Sequence, residues 1–199
     1  ADNDGRTPLY IASLLGHVDV VRVLVGRGAD MNKARDDGRT PLFIASQEVH
    51  VEVVRILVGR GADINKASND GATPLFIASQ EGHVDVARIL VAGGADINKA
   101  MNEGATPLYI ASQNGHVEVV RILAQRGADI NKAMNDGYTP LYVASGEGHV
   151  EVVRILIERG ADINKALNDG RTPLQISISN HHTEIIQLLQ LAAQNQPSA

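Results

Sequence analysis

The amino-acid sequence predicts an all-α solenoid, a single curved stack of helix–turn–helix units joined by hairpin-like loops. Two observations support this. The tripeptide Thr-Pro-Leu occurs six times, always 33 residues apart, and a fixed period of this length is typical of stacked repeats. No linker or low-complexity tract separates the copies. Cutting before each Asp/Asn-rich turn divides one domain, 1–199, into repeats 2–34, 35–67, 68–100, 101–133, 134–166 and 167–199.

The first half of each repeat predicts a tight turn followed by a short helix. An Asp-Gly dipeptide opens most repeats, and Gly adopts the positive φ that such turns need. In the third repeat, Thr73 then caps a helix and Pro74 takes its first position, where a missing N–H costs nothing. We expect this helix to cover residues 74–81 and to end at Gly82 in the left-handed conformation.

The second half of each repeat predicts a longer and more apolar helix. In the fourth repeat this helix runs from His116 to Gln125 and contains Val-Glu-Val-Val-Arg-Ile-Leu. Apolar residues cover most of its circumference, so it is buried on more than one side. A helix of about ten residues rich in Val and Ile is not stable alone in water. Its stability must therefore come from stacking on neighbouring repeats.

The pattern Gly-x-Thr-Pro-Leu-x-x-Ala-x-x-x-Gly-His-x-x-x-Val…Leu…Gly-Ala-Asp-x-Asn, at a period of 33 residues, resembles the ankyrin repeat over essentially the whole chain. The resemblance implies helix–turn–helix units stacked into a curved array. It also implies a binding module whose concave side, made of loop tips and first helices, grips other proteins.

Two internal positions depart from the family pattern. The family usually has His after Thr-Pro-Leu, bonded to the capping Thr, whereas this chain has Tyr10, Phe43, Phe76, Tyr109, Tyr142 and Gln175. We expect the rings to pack between repeats instead. Val49 replaces the Gly of Gly-His in the second repeat, and because a β-branched residue is costly in a left-handed turn, we predict either backbone strain or a reshaped turn there.

The two end repeats also differ from the others. The last helix places Glu184, Gln187 and Gln190 on one wet face, which indicates a capping repeat. The polar tail from about 194 to 199 is expected to be frayed. In the first repeat Leu14, Leu15 and Val18 are apolar, so we expect an exposed N-terminal face. This face is either a surface for weak self-association of an otherwise monomeric chain or the cut edge of a longer array.

Composition bears on location and on partner class. The net charge of −5 argues against nucleic acid as a partner, because phosphate binding depends on clustered Lys and Arg. There is no Cys and no apolar run of the roughly 20 residues that span a bilayer. The segment Ala1-Asp-Asn-Asp-Gly lacks the basic flank and apolar stretch of a secretory signal. We expect a cytoplasmic protein that does not bind membranes.

Recurring His and Asp residues raise the question of metal sites. A row of five His could in principle form a metal or proton-relay row: His17, His50, His83, His116 and His149. Adjacent layers lie about 8–10 Å apart, whereas zinc ligands lie about 2 Å from one metal, so we expect each His to close the turn between two helices. A row of Asp has Asn two residues later: Asp30, Asp63, Asp96, Asp129 and Asp162. This spacing is not that of an EF-hand loop, and it favours local side-chain-to-backbone bonds.

The second helices carry acid–base pairs three residues apart: Asp19/Arg22, Glu52/Arg55, Asp85/Arg88, Glu118/Arg121 and Glu151/Arg154. On a convex, solvated face each pair contributes about 0.2–0.5 kcal/mol. General acid–base catalysis would instead require groups positioned at a reacting centre. The sequence has no nucleophile with an adjacent base, no phosphate-cradling loop and no cluster of metal ligands. We therefore predict no enzyme, no cofactor and no metal.

The loop tips and the ends of the first helices vary most between repeats, and we predict that they contact a partner. The predicted contact residues are Arg39, Asn69, Asp70, Ala72, Gln80, Glu81, Met101, Asn102, Glu103, Ala105, Gln113, Asn114, Met134, Asn135, Asp136 and Tyr138. Tyr138, Met101 and Met134 are the expected anchors, because amphipathic aromatic residues and Met adapt well to partners. The alternative is that the tip carboxylates only satisfy the turn backbone.

The predicted function is a non-catalytic module that binds another protein through its concave face. The alternative is a structural or elastic spacer in which the stack itself is the function, unfolding repeat by repeat under load. The similarity of the repeats admits two origins, recent duplication in a natural protein or an engineered, consensus-derived scaffold. Val49 and the unusual last repeat favour natural descent, whereas the uniform middle favours idealisation.

Overall fold

The computed structural model describes residues 2–167 and 169–194, which contain twelve α-helices. Their bounds are α1 Pro8–Leu14, α2 Val18–Gly26, α3 Pro41–Gln47, α4 Val51–Gly59, α5 Pro74–Gln80, α6 Val84–Ala92, α7 Pro107–Gln113, α8 Val117–Gln125, α9 Pro140–Glu147, α10 Val150–Glu158, α11 Pro173–Ser179 and α12 Thr183–Gln194. The odd-numbered helices pack on one another in one layer, and the even-numbered helices form the second. The predicted all-α solenoid of paired helices is therefore confirmed.

Each first helix begins as the sequence predicts. The Oγ1 atom of Thr73 accepts a hydrogen bond from the backbone N–H of Phe76 at 3.1 Å, and Pro74 is the first helical residue. Thr at this position caps the corresponding helix in all six repeats. Helix α5 ends at Gln80, one residue before the predicted end, and Gly82 follows in the left-handed region with φ 73°.

Each second helix begins one residue later than predicted, because the recurring His precedes the helix. His116 is the residue before α8, and its side chain caps none of the helix N–H groups. Its Nε2 atom instead lies 2.8 Å from the carbonyl oxygen of Gln80 in the preceding repeat. The His residues of the second to fifth repeats therefore join successive repeats as well as closing the turn between two helices.

Equivalent residues occupy equivalent environments along the stack, as the repeat predicts. Leu75, Leu108 and Leu141 are each 1% exposed and belong to one apolar core that runs through the chain. Val86 and Val119 of the second helices are fully buried in the same core. This shared burial stabilises helices that are too short to be stable alone.

A second apolar cluster lies on the side of the first helices. Phe43, Phe76, Tyr109 and Tyr142 pack together there, which confirms that these rings pack between repeats. In the last repeat Gln175 takes the same position, and its Oε1 atom accepts a hydrogen bond from the N–H of Thr172 at 2.8 Å. Gln175 thereby completes a reciprocal capping box.

The return loops form a hydrogen-bonded ladder along the stack. The Oδ1 atom of Asp96 accepts from the N–H of Asn98 at 3.0 Å, which confirms the local bond that the Asp-x-Asn pattern predicts. The N–H of Asp96 also donates to Oδ1 of Asn65 in the preceding repeat at 2.8 Å. The same cross-repeat bond recurs at Asp63, Asp129 and Asp162.

Val49 adopts the left-handed conformation, with φ 56°, where other repeats have Gly. L-residues with a Cβ atom are strained in this region. The predicted strain in the turn of the second repeat is therefore confirmed, and the Val49 side chain is exposed.

The N-terminal face is apolar, but the prediction of which residues form it was partly wrong. Of Leu14, Leu15 and Val18 only Leu15 is exposed, and Leu14 and Val18 are half-buried. Val20 is 47% exposed, although its counterpart Val53 is fully buried. The described residues include no repeat ahead of Val20 that could cover it, and a comparison of residue types could not reveal this because the position is Val in repeats 1 to 5.

The last repeat has the polar outer face that the sequence predicts. Glu184, Gln187 and Gln190 are exposed on α12, whereas Ile185 and Leu189 are buried. Gln194 is the last residue of that helix, and the rest of the tail predicted to fray lies outside the described residues. Within the described part of the chain, no helix is both long and apolar enough to cross a membrane.

Candidate protein-binding surface

The loop tips are hairpin turns whose side chains close their own backbone. In the third repeat the N–H of Ser68 donates to the carbonyl of Ala72, and the N–H of Gly71 donates to the carbonyl of Ser68, each at 2.9 Å. The Oδ1 atom of Asp70 accepts from the N–H of Ala72 at 3.2 Å. The tip carboxylate therefore has a structural role, which leaves its second oxygen atom for other partners.

The tip Asn residues connect one repeat to the next. The Nδ2 atom of Asn69 donates to the carbonyl of Asp36 at 3.0 Å, that of Asn102 to Asn69 at 3.1 Å, and that of Asn135 to Asn102 at 3.1 Å. Their amide nitrogen atoms thus each hold the tip of the preceding repeat. A role of these three residues in partner contact stays a prediction.

A first cleft of about 480 Å³ lies between the tips and first helices of the second to fifth repeats. It collects nine of the predicted contact residues: Arg39, Asp70, Ala72, Gln80, Met101, Glu103, Ala105, Gln113 and Met134. Ala72 and Ala105 are each 4% exposed, so they form the floor of the cleft and offer a partner little surface.

A second cleft of about 440 Å³ continues toward the C-terminal end. Its lining includes the predicted residues Gln113, Met134, Asp136 and Tyr138. Since Tyr109, Gln113 and Met134 line both clefts, the two form one continuous depression, which we call the central groove.

Five predicted contact residues do not line the central groove: Asn69, Glu81, Asn102, Asn114 and Asn135. Glu81 accepts a hydrogen bond from Nε2 of Gln80 at 3.1 Å, and Nδ2 of Asn114 donates to the carbonyl of Gln80 at 2.8 Å. All five are exposed.

The groove also contains residues outside the predicted set. Ile77, Ile110 and Ile176 line it, and they escaped prediction because this position is apolar in every repeat. Glu147 and Arg171 line the second cleft. Both differ from their counterparts in some repeats, and this variation between repeats could have identified them as contact residues from the sequence.

Two arginines at the ends of the groove are paired within their own repeats. The Nε atom of Arg39 lies 3.4 Å from Oδ2 of Asp37, and its guanidinium lies 5.4 Å from the centre of the Phe43 ring. A guanidinium nitrogen of Arg171 lies 2.7 Å from Oδ2 of Asp169. Asp169 therefore balances the charge of Arg171, whereas Asp37 is shared between Arg39 and Arg35, which lies 3.6 Å from the same carboxylate.

Asp70 and Tyr109 keep fixed charge states in the groove near neutral pH. The Ser68 hydroxyl donates to the Asp70 carboxylate and lowers its pKa, so Asp70 stays ionised. Burial raises the pKa of Tyr109 to about 12, so its hydroxyl stays neutral. The rings of Tyr138 and Tyr142 meet edge to face, with centres 5.2 Å apart.

The recurring histidines are engaged in structure. The Nε2 atom of His83 lies 2.9 Å from the carbonyl of Gln47, and that of His149 lies 2.9 Å from the carbonyl of Gln113. A carbonyl only accepts, so Nε2 carries the hydrogen in each ring. Among the residues whose structure is described, no group of three or more His, Asp or Glu is arranged to hold a metal ion.

The predicted ion pairs on the second helices form only where the acid is Glu. Glu118 lies 3.4 Å from Arg121, Glu151 lies 3.3 Å from Arg154, and Glu52 lies 3.5 Å from Arg55.

Asp19 makes no ion pair with Arg22, and Asp85 makes none with Arg88, so these two predicted pairs were wrong. The Asp side chain is one methylene shorter, and Arg22 reaches Glu52 of the next repeat instead, at 2.8 Å. These contacts lie on exposed side chains of the second helices, which line neither cleft of the groove.

Comparison with known proteins agrees with this architecture. The family model described as ankyrin repeats (3 copies) matches in overlapping placements over residues 1–68, 28–101, 64–134, 99–166 and 131–197. A crystal structure of an ankyrin repeat domain from Acinetobacter baumannii superposes with a TM-score of 0.88 at 29% identity, covering 94% of this chain and 97% of that one. No curated protein matches significantly.

Ankyrin repeats are generally protein-interaction modules and are typically not catalytic. The repeat period, the stacked helix pairs and the matches along the sequence lead to one conclusion. The chain belongs to the ankyrin repeat family.

Proposed function

We propose that this chain binds another protein through the central groove and acts as a non-catalytic interaction module. The observation that carries the proposal is the groove itself. It combines partly buried apolar side chains, Met101, Met134 and Tyr138, with charged groups along its edges. Apolar anchors surrounded by a polar rim are the usual composition of a protein interface.

The rigid scaffold supports this function. Each tip is fixed by its own turn and by bonds to the preceding repeat, so a partner would meet a surface whose backbone is already ordered. A preorganised surface loses less conformational entropy on binding. The exposed and variable side chains would then determine which partner binds.

Affinity capture tests the proposal. The purified chain is immobilised and exposed to a cell lysate, in parallel with a groove variant, Met134→Ala with Tyr138→Ala, and a convex variant, Arg88→Ala with Arg121→Ala. We expect the captured partner to be lost with the groove variant and kept with the convex variant. Circular dichroism melting of all three proteins checks that each is folded.

The alternative function is a structural or elastic spacer. The recurrence of the same cross-repeat bonds from repeat to repeat favours it, because such a stack extends and refolds in steps. If a partner were captured equally well by the Met134/Tyr138 variant, or if no partner were captured at all, the result would contradict binding through the groove and favour the spacer function.

A further inference from the structure

Charge is divided between the two sides of the central repeats. The concave segments 68–81, 101–114 and 134–147 contain no Lys, Arg or His and carry five carboxylates: Asp70, Glu81, Glu103, Asp136 and Glu147. The basic residues of the same repeats lie in second helices and return loops: Arg88, Lys99, Arg121, Arg126, Lys132, Arg154, Arg159 and Lys165.

The tip carboxylates of the groove have no ion-pair partner within the described part of the chain, although the charge of Arg39 in the first cleft helps to lower the pKa of Asp70. Asp70, Glu103 and Asp136 form no ion pair there, in contrast to Asp37 and Asp169, which hold the arginines at the groove ends. Unpaired charges of one sign along a cleft focus the electrostatic field and attract groups of the opposite sign.

A second feature of the groove points to a ligand. Tyr142 is 4% exposed and lines the second cleft, and its hydroxyl has no hydrogen-bond partner among the described residues. A buried polar group without a partner is costly. A bound polar group in the second cleft would satisfy it.

We propose that the occupant of the central groove is a basic, extended segment of a partner protein, whose Lys or Arg side chains meet the carboxylates and whose apolar side chains enter the clefts. This inference rests on the proposed function and names the chemistry of the partner. Asp70, Glu103 and Asp136 hold the same position in successive repeats, so they form a row of attachment points one layer apart.

The layer spacing sets the spacing of the basic residues. Packed helices lie about 8–10 Å apart. An extended segment in the polyproline II conformation advances about 3.1 Å per residue with three residues per turn, so every third side chain lies on the same face. One layer therefore corresponds to about three residues of an extended segment. A segment with Lys or Arg at every third position matches the row.

Fluorescence anisotropy with synthetic peptides tests this inference. The probe is a labelled peptide in which Lys-Leu-Gly is repeated four times, and its counterpart has Glu in place of each Lys. We expect the Lys peptide to bind at low salt and its affinity to fall as the NaCl concentration is raised. We expect the Glu peptide not to bind.

Two variants with equal changes of charge separate the groove from net charge. The groove variant carries Asp70→Asn, Glu103→Gln and Asp136→Asn, in which the amide oxygen atoms still accept the turn bonds of the two Asp positions. The control carries Asp85→Asn, Glu118→Gln and Glu151→Gln on the second helices of the same repeats. We expect the groove variant to lose affinity about tenfold, as for the removal of three exposed ion pairs, and the control to lose less than about threefold.

Equal losses in both variants would show that the peptide responds to overall charge, and would overturn the inference, as would binding of the Glu peptide. These outcomes leave the proposed function standing if the lysate partner still depends on Met134 and Tyr138. A lysate partner that is lost in the Met134/Tyr138 variant but unaffected by the three carboxamide substitutions would also overturn the inference alone.

Discussion

The Nε2–H group of His149 donates a hydrogen bond of 2.9 Å to the carbonyl oxygen of Gln113, 36 residues earlier in the chain. Gln113 is the last residue of α7 and lines the central groove. The bond therefore links a turn of the fifth repeat to the groove wall of the fourth, and it recurs in register along the stack.

Removal of this bond should destabilise the stack. We expect His149→Ala to lower the free energy of unfolding by about 1–2 kcal/mol, because a partly buried carbonyl loses its partner. His17→Ala is the matched control, since His17 holds the same position in the first repeat, where the described residues contain no earlier layer for its ring to contact. Urea denaturation measures both. A loss at His17 as large as that at His149 would contradict the cross-repeat role.

The strained turn at Val49 offers a stabilising substitution. Val49→Gly should raise the free energy of unfolding by about 0.5–1 kcal/mol, because relief of left-handed strain exceeds the extra backbone entropy of Gly. The converse variant, Gly82→Val, should lower the free energy of unfolding by more than Val49→Gly raises it, because a Cβ atom there would lie 2.5 Å from Nδ1 of His116. Thermal melting compares the two, and a destabilised Val49→Gly protein would refute the strain argument.

The Asp70 carboxylate predicts a pH dependence of stability. Its pKa is lowered in the folded state from the ordinary value of 3.8, chiefly by the hydrogen bond from Ser68. The stability it contributes is fully present above the ordinary pKa and is lost as the pH falls through the lower folded value. We expect Asp70→Asn to flatten the fall of stability below pH 4, measured by urea denaturation at several pH values. If the free energy of unfolding fell with pH in parallel for the original protein and the Asp70→Asn variant, Asp70 would not contribute to the pH dependence.

The N-terminal face predicts the behaviour of the chain at high concentration. Val20 and Val23 are both exposed on α2. We expect them to mediate weak self-association, so that sedimentation at two concentrations shows an increase in mass that the double variant Val20→Glu, Val23→Glu removes. Ile178→Glu, at the opposite end, is the control for contact between two N-terminal faces. A mass that stays monomeric at both concentrations would show that the face does not self-associate.

Much of the fold could be predicted because its causes are local in sequence. Thr73 and Pro74 define the start of a helix through contacts within four residues, and Val49 reveals its strain through residue type alone. The bond from His149 to Gln113 could not be predicted in this way, because its acceptor lies in another layer.

The candidate site could be predicted only in part for a related reason. Variation between repeats singled out Met101, Met134 and Tyr138, but Ile77 and Ile110 line the groove without varying in character. Ala72 varies between repeats yet lies in the floor, because burial depends on the neighbouring layers and not on residue type.

The ladder of return loops bears on the length of the protein. Asn65 accepts from the N–H of Asp96 at the same distance, 2.8 Å, at which Asn98 accepts from Asp129 and Asn131 from Asp162. Excision of residues 101–133 should therefore leave a folded chain with a lower melting temperature, measurable by circular dichroism. Each layer presents the next one with the same hydrogen-bond acceptors. Whole repeats can therefore be added or removed without loss of the fold, and each one added or removed changes the number of side chains available to a ligand.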